Sequence, residues 1–289
     1  MIIAGLIFSF SNRQIFKLNN LLHNAILASL KAGKHIATVY EKGFEVEYKS
    51  DASPVTIADK QANEIIEEYL SRHNIPMLGE EGIQHDYDER KHWDKLWIVD
   101  PLDGTKEFVK RNGEFTVNIA LSVKGAPVIG VIFSPVFKDL YFASDDLGSY
   151  KMDRHTYIAL EDKIQDLSLE QIISSSKKLP LQQLPKVYTV VASRSHQNGD
   201  IRKYIQSLKH SKGEIDTIYT GSSIKMCWIA EGKAHEYPRY GRTMEWDTCA
   251  GHCILKNAGG AIVEMESKED LRYNKLDIAN PNFLAFRAE

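Results

Sequence analysis

Cysteine is nearly absent. Only Cys227, Cys249 and Cys253 occur in 289 residues. A low, odd count excludes a disulfide framework and fits a reducing compartment. Cys249 and Cys253 bracket His252 within one helical turn, but no second ligand cluster accompanies them, so packing rather than metal binding is expected there. A charge excess of either sign is missing too. The 36 basic and 39 acidic residues leave a net charge of −3, which argues against a nucleic-acid partner. Any anionic ligand must therefore be held by local charge. No apolar run approaches the roughly 20 residues that span a bilayer. The apolar start MIIAGLIFSF also lacks the basic flank and cleavage site of a signal peptide. Residues 1–14 are expected to be an extension. The chain is expected in the cytoplasm, without stable membrane insertion; peripheral attachment to the inner face of the membrane stays open. Repeats and low-complexity tracts are absent as well.

What is present reads as an ordinary globular chain, 43% hydrophobic and 26% charged. Apolar spacing predicts helices over residues 18–40 and 57–72, the second with Thr56 and Asp59 as a capping box. Short strands are expected at 75–78 and 97–99, followed by a β-meander over 116–123, 128–133 and 140–143. Residues 160–186 change character, with three consecutive serines and two prolines, Pro180 and Pro185. Beyond them strands and helices alternate: strands at 187–192, 215–219, 235–237, 261–265 and 283–286, and helices over 199–208, after Ser223 and after Asp247. The expected organisation is an α+β half (15–165) and an α/β half (186–289).

The stretch WIVDPLDGTKEF, Trp97 to Phe108, concentrates the chemistry. A buried strand delivers Asp100 to its end, where functional groups collect in α/β sheets. Pro101 cannot continue the ladder, Gly104 permits tight backbone geometry, and Thr105 stands near a helix start, where free N–H groups suit phosphate. Taken singly, Asp100 ends a strand, Asp103 caps a helix, Asp59 completes a capping box and Asp247 is an N-cap. With the acidic Gly79-Glu80-Glu81-Gly82 nearby in sequence, several carboxylates and the Leu102 carbonyl form an oxygen set suited to Mg²⁺. An EF-hand is excluded: its third, fifth and twelfth positions would be Leu102, Gly104 and Arg111. A haloacid-dehalogenase-type phosphatase, with Asp100 as nucleophile, stays open. The spacing here is one residue longer, and in extended chain that step moves the second carboxylate to the other face.

Four segments together resemble the inositol-monophosphatase-like superfamily of lithium-sensitive, magnesium-dependent phosphatases. They are Ser53-Pro54-Val55-Thr56-Ile57-Ala58-Asp59, Gly79-Glu80-Glu81, the run Trp97 to Thr105, and Trp246-Asp247. The second half is similar to the 3′(2′),5′-bisphosphate nucleotidases of bacterial sulfate assimilation. That likeness is carried by Ser193-Arg194-Ser195-His196, Gly221 to Lys225, Ala234 to Arg239 and Thr243 to Thr248. It departs mildly at Cys249 and Cys253, where small residues are usual. The resemblance implies a layered αβαβα sandwich. It implies Glu80, Asp100, Leu102, Asp103 and Asp247 as ligands of two or three Mg²⁺ ions, with Asp100 bridging. Thr105, hydrogen-bonded to Asp59, would position and deprotonate the attacking water. Gly104 and Thr105 would hold the scissile phosphate, with Glu80, Leu102, Asp103 and Asp247 also facing the substrate. His196, Ser222, Lys225 and Arg239 would contact the nucleotide and its second phosphate. The implied reaction is hydrolysis of adenosine 3′,5′-bisphosphate to AMP and phosphate, with 3′-phosphoadenylyl sulfate as a side substrate. An inositol or sugar phosphatase is the alternative with the same core. Monomer and homodimer both remain open.

Overall fold

The computed structural model describes residues 12–48, 54–194 and 199–287, with side chains from residue 18 onward. Ser53 and His196, and residues 1–11 of the expected extension, lie outside the described residues. The described residues open with α1 (Asn12–Lys42), an antiparallel pair of β1 (Val46–Tyr48) and β2 (Pro54–Thr56), then α2 (Ile57–Leu70), β3 (Met77–Gly79) and α3 (Tyr87–Arg90). Next come β4 (Lys95–Asp103), α4 (Thr105–Val109), β5 (Thr116–Val123), β6 (Ala126–Ser134), β7 (Asp139–Ser144), β8 (Gly148–Met152), α5 (Arg154–Leu160), α6 (Leu169–Ser174) and β9 (Lys177–Lys178). The second half comprises β10 (Tyr188–Ser193), α7 (Gly199–Lys212), β11 (Ile215–Thr220), α8 (Ile224–Glu231), β12 (Glu236–Arg239), α9 (Glu245–Lys256), β13 (Gly260–Glu264) and β14 (Phe283–Arg287). Strands β1, β2, β8 and β9, and helices α3, α5 and α6, were not anticipated.

Strands β3 to β9 form a seven-stranded sheet in sequence order, parallel between β3 and β4 and antiparallel elsewhere. Period-two alternation serves both of its faces. Trp97, Val99, Val117, Ile119, Val131 and Phe133 point into one core with α1 and α2. Leu96, Ile98, Ala120, Ile132, Tyr141 and Ala143 point into the other, with α8 and α9. Small residues on that second face let α9 approach closely. A Cβ on Gly130 would stand 2.4 Å from the Ala250 carbonyl oxygen and 2.8 Å from the Cys253 Cβ. The three cysteines are unpaired and buried, so their expected packing role holds.

The second sheet has the order β11-β10-β12-β14-β13. Its inner face (Val191, Tyr237, Ile262, Phe283, Ala285) closes the core around α8 and α9, and α7 lies against β10, β11 and β12. The layers therefore run α1/α2, large sheet, α8/α9, small sheet, α7, an αβαβα sandwich of α+β class, as the resemblance implied. No described helix is long and apolar enough to cross a membrane.

Candidate metal and phosphate site

The spacing of Asp100 and Asp103 is resolved by a bulge. Asp100 pairs with Asn118 and Asp103 with Thr116, so the register shifts by one residue across Pro101 and Leu102. Three steps along β4 match two along β5, and partners two apart share a face. Both carboxylates thus emerge on the face toward α8 and α9. Pro101 has no N–H to give the ladder, which suits the irregular step. The Leu102 N–H donates to Asp100 Oδ1 at 3.0 Å, fixing that carboxylate.

Helix starts bring the remaining acids. Ser223, at the start of α8, donates to Asp103 Oδ2 from its backbone N–H and its hydroxyl side, both at 2.7 Å. Asn118 Nδ2 approaches the same oxygen at 3.3 Å. On the first turn of α9, Asp247 accepts the Met244 N–H at 2.8 Å. Candidate ligand atoms of Asp100, Asp103 and Asp247 lie within 4.8 Å of one another. Glu80, just after β3, lines the same cleft, as does Leu102. Burial, then repulsion from Glu80 and the other aspartates, pushes the Asp100 carboxyl well above its usual range. Burial first, and Asp103 next, pushes Asp247 up to about 8. Burial raises Asp103 as well, against the pull of Lys225 and its hydrogen bonds. Carboxylates crowded in this way hold protons unless a cation replaces them. The donors are all oxygens, and they fit Mg²⁺.

Beside this cluster Thr105 Oγ1 donates to Asp59 Oδ1 at 3.0 Å and lies 3.2 Å from the Leu102 carbonyl oxygen. Asp59 does not line the cleft. Its other oxygen accepts the Thr56 N–H at 2.8 Å and the Thr56 hydroxyl at 2.7 Å, the expected capping box. Burial raises its pKa despite these bonds. Gly104 caps α4 at φ +93°, and a Cβ there would meet the Glu114 carbonyl oxygen at 3.2 Å.

The same cleft, with a volume of about 630 Å³, is lined by Ser222, Lys225 and Arg239 as well. Ser222 has φ +46°, uncommon for a residue with a Cβ. Among the described residues its buried Oγ has no partner, nor does the buried Arg239 Nε. Lys225 Nζ donates to the Ser222 carbonyl and sits 5.2 Å from the Tyr237 ring centre. Burial pushes its ammonium down to about 8, and the nearby Arg239 adds to that. Orphaned donors beside two cations are chemistry for an anion. The structure therefore brings together ten of the proposed residues along one cleft: Glu80, Asp100, Leu102, Asp103, Gly104 and Thr105 from the first half of the chain, Ser222, Lys225, Arg239 and Asp247 from the second. His196 falls outside the described residues. Sequence reading missed Asn118 and Ser223 as supports of Asp103, and Lys106 and Arg242 on the cleft wall. Ser223 was at least within a recognised motif; Asn118, inside a strand, gave no signal.

A model of the inositol monophosphatase family matches residues 17–287. A 3′(2′),5′-bisphosphate nucleotidase CysQ from Salmonella typhimurium is 41% identical over 256 residues, which cover 87% of this chain and 94% of that protein. The crystal structure of CysQ from Bacteroides thetaiotaomicron, a bacterial member of the inositol monophosphatase family, matches with a TM-score of 0.86 at 47% identity, covering 95% of this chain and 100% of that one. An inositol monophosphatase from Anabaena matches with a TM-score of 0.66 at 22% identity, over 94% of this chain and 92% of its own, a likeness of fold alone.

Proposed function

The chain belongs to the inositol monophosphatase family, and on that premise we propose that it is a Mg²⁺-dependent 3′(2′),5′-bisphosphate nucleotidase. It takes the 3′-phosphate from adenosine 3′,5′-bisphosphate, giving AMP and phosphate, with 3′-phosphoadenylyl sulfate as a side substrate. The observation that carries this reading is the pairing of an acidic cluster and a Lys225–Arg239 cation pair on the walls of one cleft. A monophosphate needs only the first; a bisphosphate uses both. A cytoplasmic site of action accords with the three unpaired, buried cysteines.

Glu80, Asp100, Asp103, Asp247 and the Leu102 carbonyl would hold two or three Mg²⁺ ions, which when bound neutralise phosphate charge, acidify water and stabilise the leaving oxygen. The chain's own groups do the rest. Thr105 gives its hydroxyl hydrogen to Asp59, which turns its oxygen lone pairs outward to accept from a water and orient it. Asp59, made more basic by burial, takes the proton passed on through Thr105. The Gly104 and Thr105 N–H groups, at the start of α4, meet the scissile phosphate. Arg239, Lys225 and the Ser222 hydroxyl hold the 5′-phosphate, with His196 completing the nucleotide contacts. No protein nucleophile is required, so rapid quench should trap no aspartyl-phosphate on Asp100; such an adduct would favour the dehalogenase-type route instead.

The test compares two substrates. Arg239→Ala should lower kcat/KM for adenosine 3′,5′-bisphosphate by about one to two decades, the worth of a charge-assisted contact of roughly 1.5–3 kcal/mol. Adenosine 3′-monophosphate, lacking the second phosphate, should be nearly unaffected. Equal losses on both would show that Arg239 supports the fold or the acidic wall. Faster hydrolysis of inositol 1-phosphate than of the bisphosphate by the unmodified enzyme would favour the inositol phosphatase reading.

A further inference from the structure

Outside the cleft, a chain of buried polar contacts joins the two elements that carry its outermost acids. Glu245 stands two residues before Asp247 on α9 and exposes 0% of its surface. Its carboxylate accepts the backbone N–H groups of Asn274 at 2.6 Å and Lys275 at 2.9 Å, and the Lys275 ammonium at 2.8 Å. Asn274 and the buried Arg90 then grip each other. Arg90 Nη1 donates to Asn274 Oδ1 at 2.9 Å, and Asn274 Nδ2 donates to the Arg90 carbonyl at 2.7 Å. From there Arg90 Nε donates to the His85 carbonyl at 3.0 Å. His85 lies in the loop between Glu80 and α3, and the Glu80 N–H is held by the Val99 carbonyl at 3.2 Å, beside Asp100. None of Arg90, Asn274, Lys275 or Glu245 lines the cleft.

We infer that Glu245, Asn274 and Arg90 are positioning residues that set the spacing between the Glu80 loop and the Asp247 helix, and so the affinity of the acidic cluster for a divalent cation. The inference rests on the metal reading above. Glu80 sits on a short loop after β3 and Asp247 on a helix from the other half of the chain. The β3–β4 pairing and the packing of α9 on the large sheet place the two elements, and the polar chain adds a direct tie between the loop and the helix. A fully buried carboxylate is costly unless completely partnered, and Glu245 spends its partners on the loop that reaches Arg90 rather than on its own helix N-terminus. The Glu245 N–H donates to the Ile278 carbonyl at 3.0 Å, which holds the same loop from its far end. Groups that orient metal ligands act on affinity even though they touch no ion, because a small spread of the ligands weakens every bond to it.

The test measures Mg²⁺ binding, with Mg²⁺ alone and no substrate, by calorimetry on the full chain well below its melting temperature. Glu245→Gln should weaken Mg²⁺ by about tenfold, as loss of such supports does. Asn274→Gly keeps the positive φ of +62° at that position and cuts both side-chain bonds between Asn274 and Arg90, leaving the Arg90 Nη1 bond to the Lys275 carbonyl at 3.2 Å; it should weaken Mg²⁺ by a smaller factor. The double variant should lose no more than the worse single, since both break one chain. At saturating Mg²⁺ kcat and the substrate KM should return to the parent values. A purely structural role would lower the melting temperature and leave the Mg²⁺ affinity of the folded variants unchanged; that result overturns the inference. If Glu245→Gln fails to fold, Asn274→Gly decides alone. If the parent protein binds no Mg²⁺, the metal reading itself falls, and the inference with it.

Discussion

Two buried groups of ionisable residues sit at opposite ends of α8, and they are built in opposite ways. At its end, Glu231 accepts from Lys151 at 3.0 Å, Lys233 at 2.8 Å and the Tyr141 hydroxyl, while Lys151 also pairs with Asp139 at 2.9 Å. Burial alone would raise the Glu231 pKa, but the two lysines outweigh it and the net shift is downward. Burial alone would lower Lys151, and its carboxylate partners raise it instead. At the start of α8 the charges are left incompletely balanced. Asp100, Asp103 and Asp247 face one another and are raised, while Lys225 is lowered, with Arg239 as a like-charged neighbour. The first cluster is neutralised from within and ties β7 and β8 to α8. The second leaves like charges crowded despite the pull between Lys225 and Asp103, which costs stability and makes sense only if ligands complete it. One helix thus carries a structural ion cluster at one end and an unfinished one at the other.

That contrast can be broken by mutation. Asp100→Asn and Asp247→Asn should each cut Mg²⁺-dependent turnover by orders of magnitude, because each removes metal-binding charge and no core volume. In chelator the same variants should melt no lower than the parent, since they also remove repulsion. A variant with near-normal turnover would remove that residue from the site. Glu231→Gln should behave in the reverse sense. It leaves Lys151 short of a buried partner and should cost about 3–5 kcal/mol in denaturant unfolding, while the turnover of the folded fraction changes little. Equal damage to turnover from both ends of α8 would erase the distinction.

Much of the fold was legible because period-two alternation in β4 to β7 is satisfied on both faces of one sheet. Strand β8 escaped notice for the opposite reason. Lys151 reads as a solvent residue in Gly148-Ser-Tyr-Lys-Met, yet it is buried because Glu231, eighty residues later, supplies its counter-charge. The candidate site was legible in its residue types, and its geometry was not. Regular pairing would put Asp100 and Asp103 on opposite faces; the bulge across Pro101 reverses that, and a bulge depends on the partner strand. The supports Asn118, Ser223, Arg90 and Glu245 act across 15 to 184 residues, separations at which local pattern carries no information.

On the proposed reading, Mg²⁺ takes the place of protons in the acidic cluster. Without metal, carboxyls whose folded pKa is raised contribute stability that is full below their unfolded value near 4 and is lost as pH rises through the folded value, about 8 for Asp247. The buried His252, pushed down to about 3 mainly by burial, acts oppositely, with stability lost as pH falls below about 6.5. Subtracting melting temperatures with and without Mg²⁺ at each pH removes that background. The direct measurement is therefore the melting temperature of the full chain in chelator and in excess Mg²⁺, from pH 5 to pH 9. The Mg²⁺-induced gain should be small at pH 5 and grow to its maximum above pH 8, as ions displace fewer protons. A gain that is absent, or the same at every pH, would contradict the account.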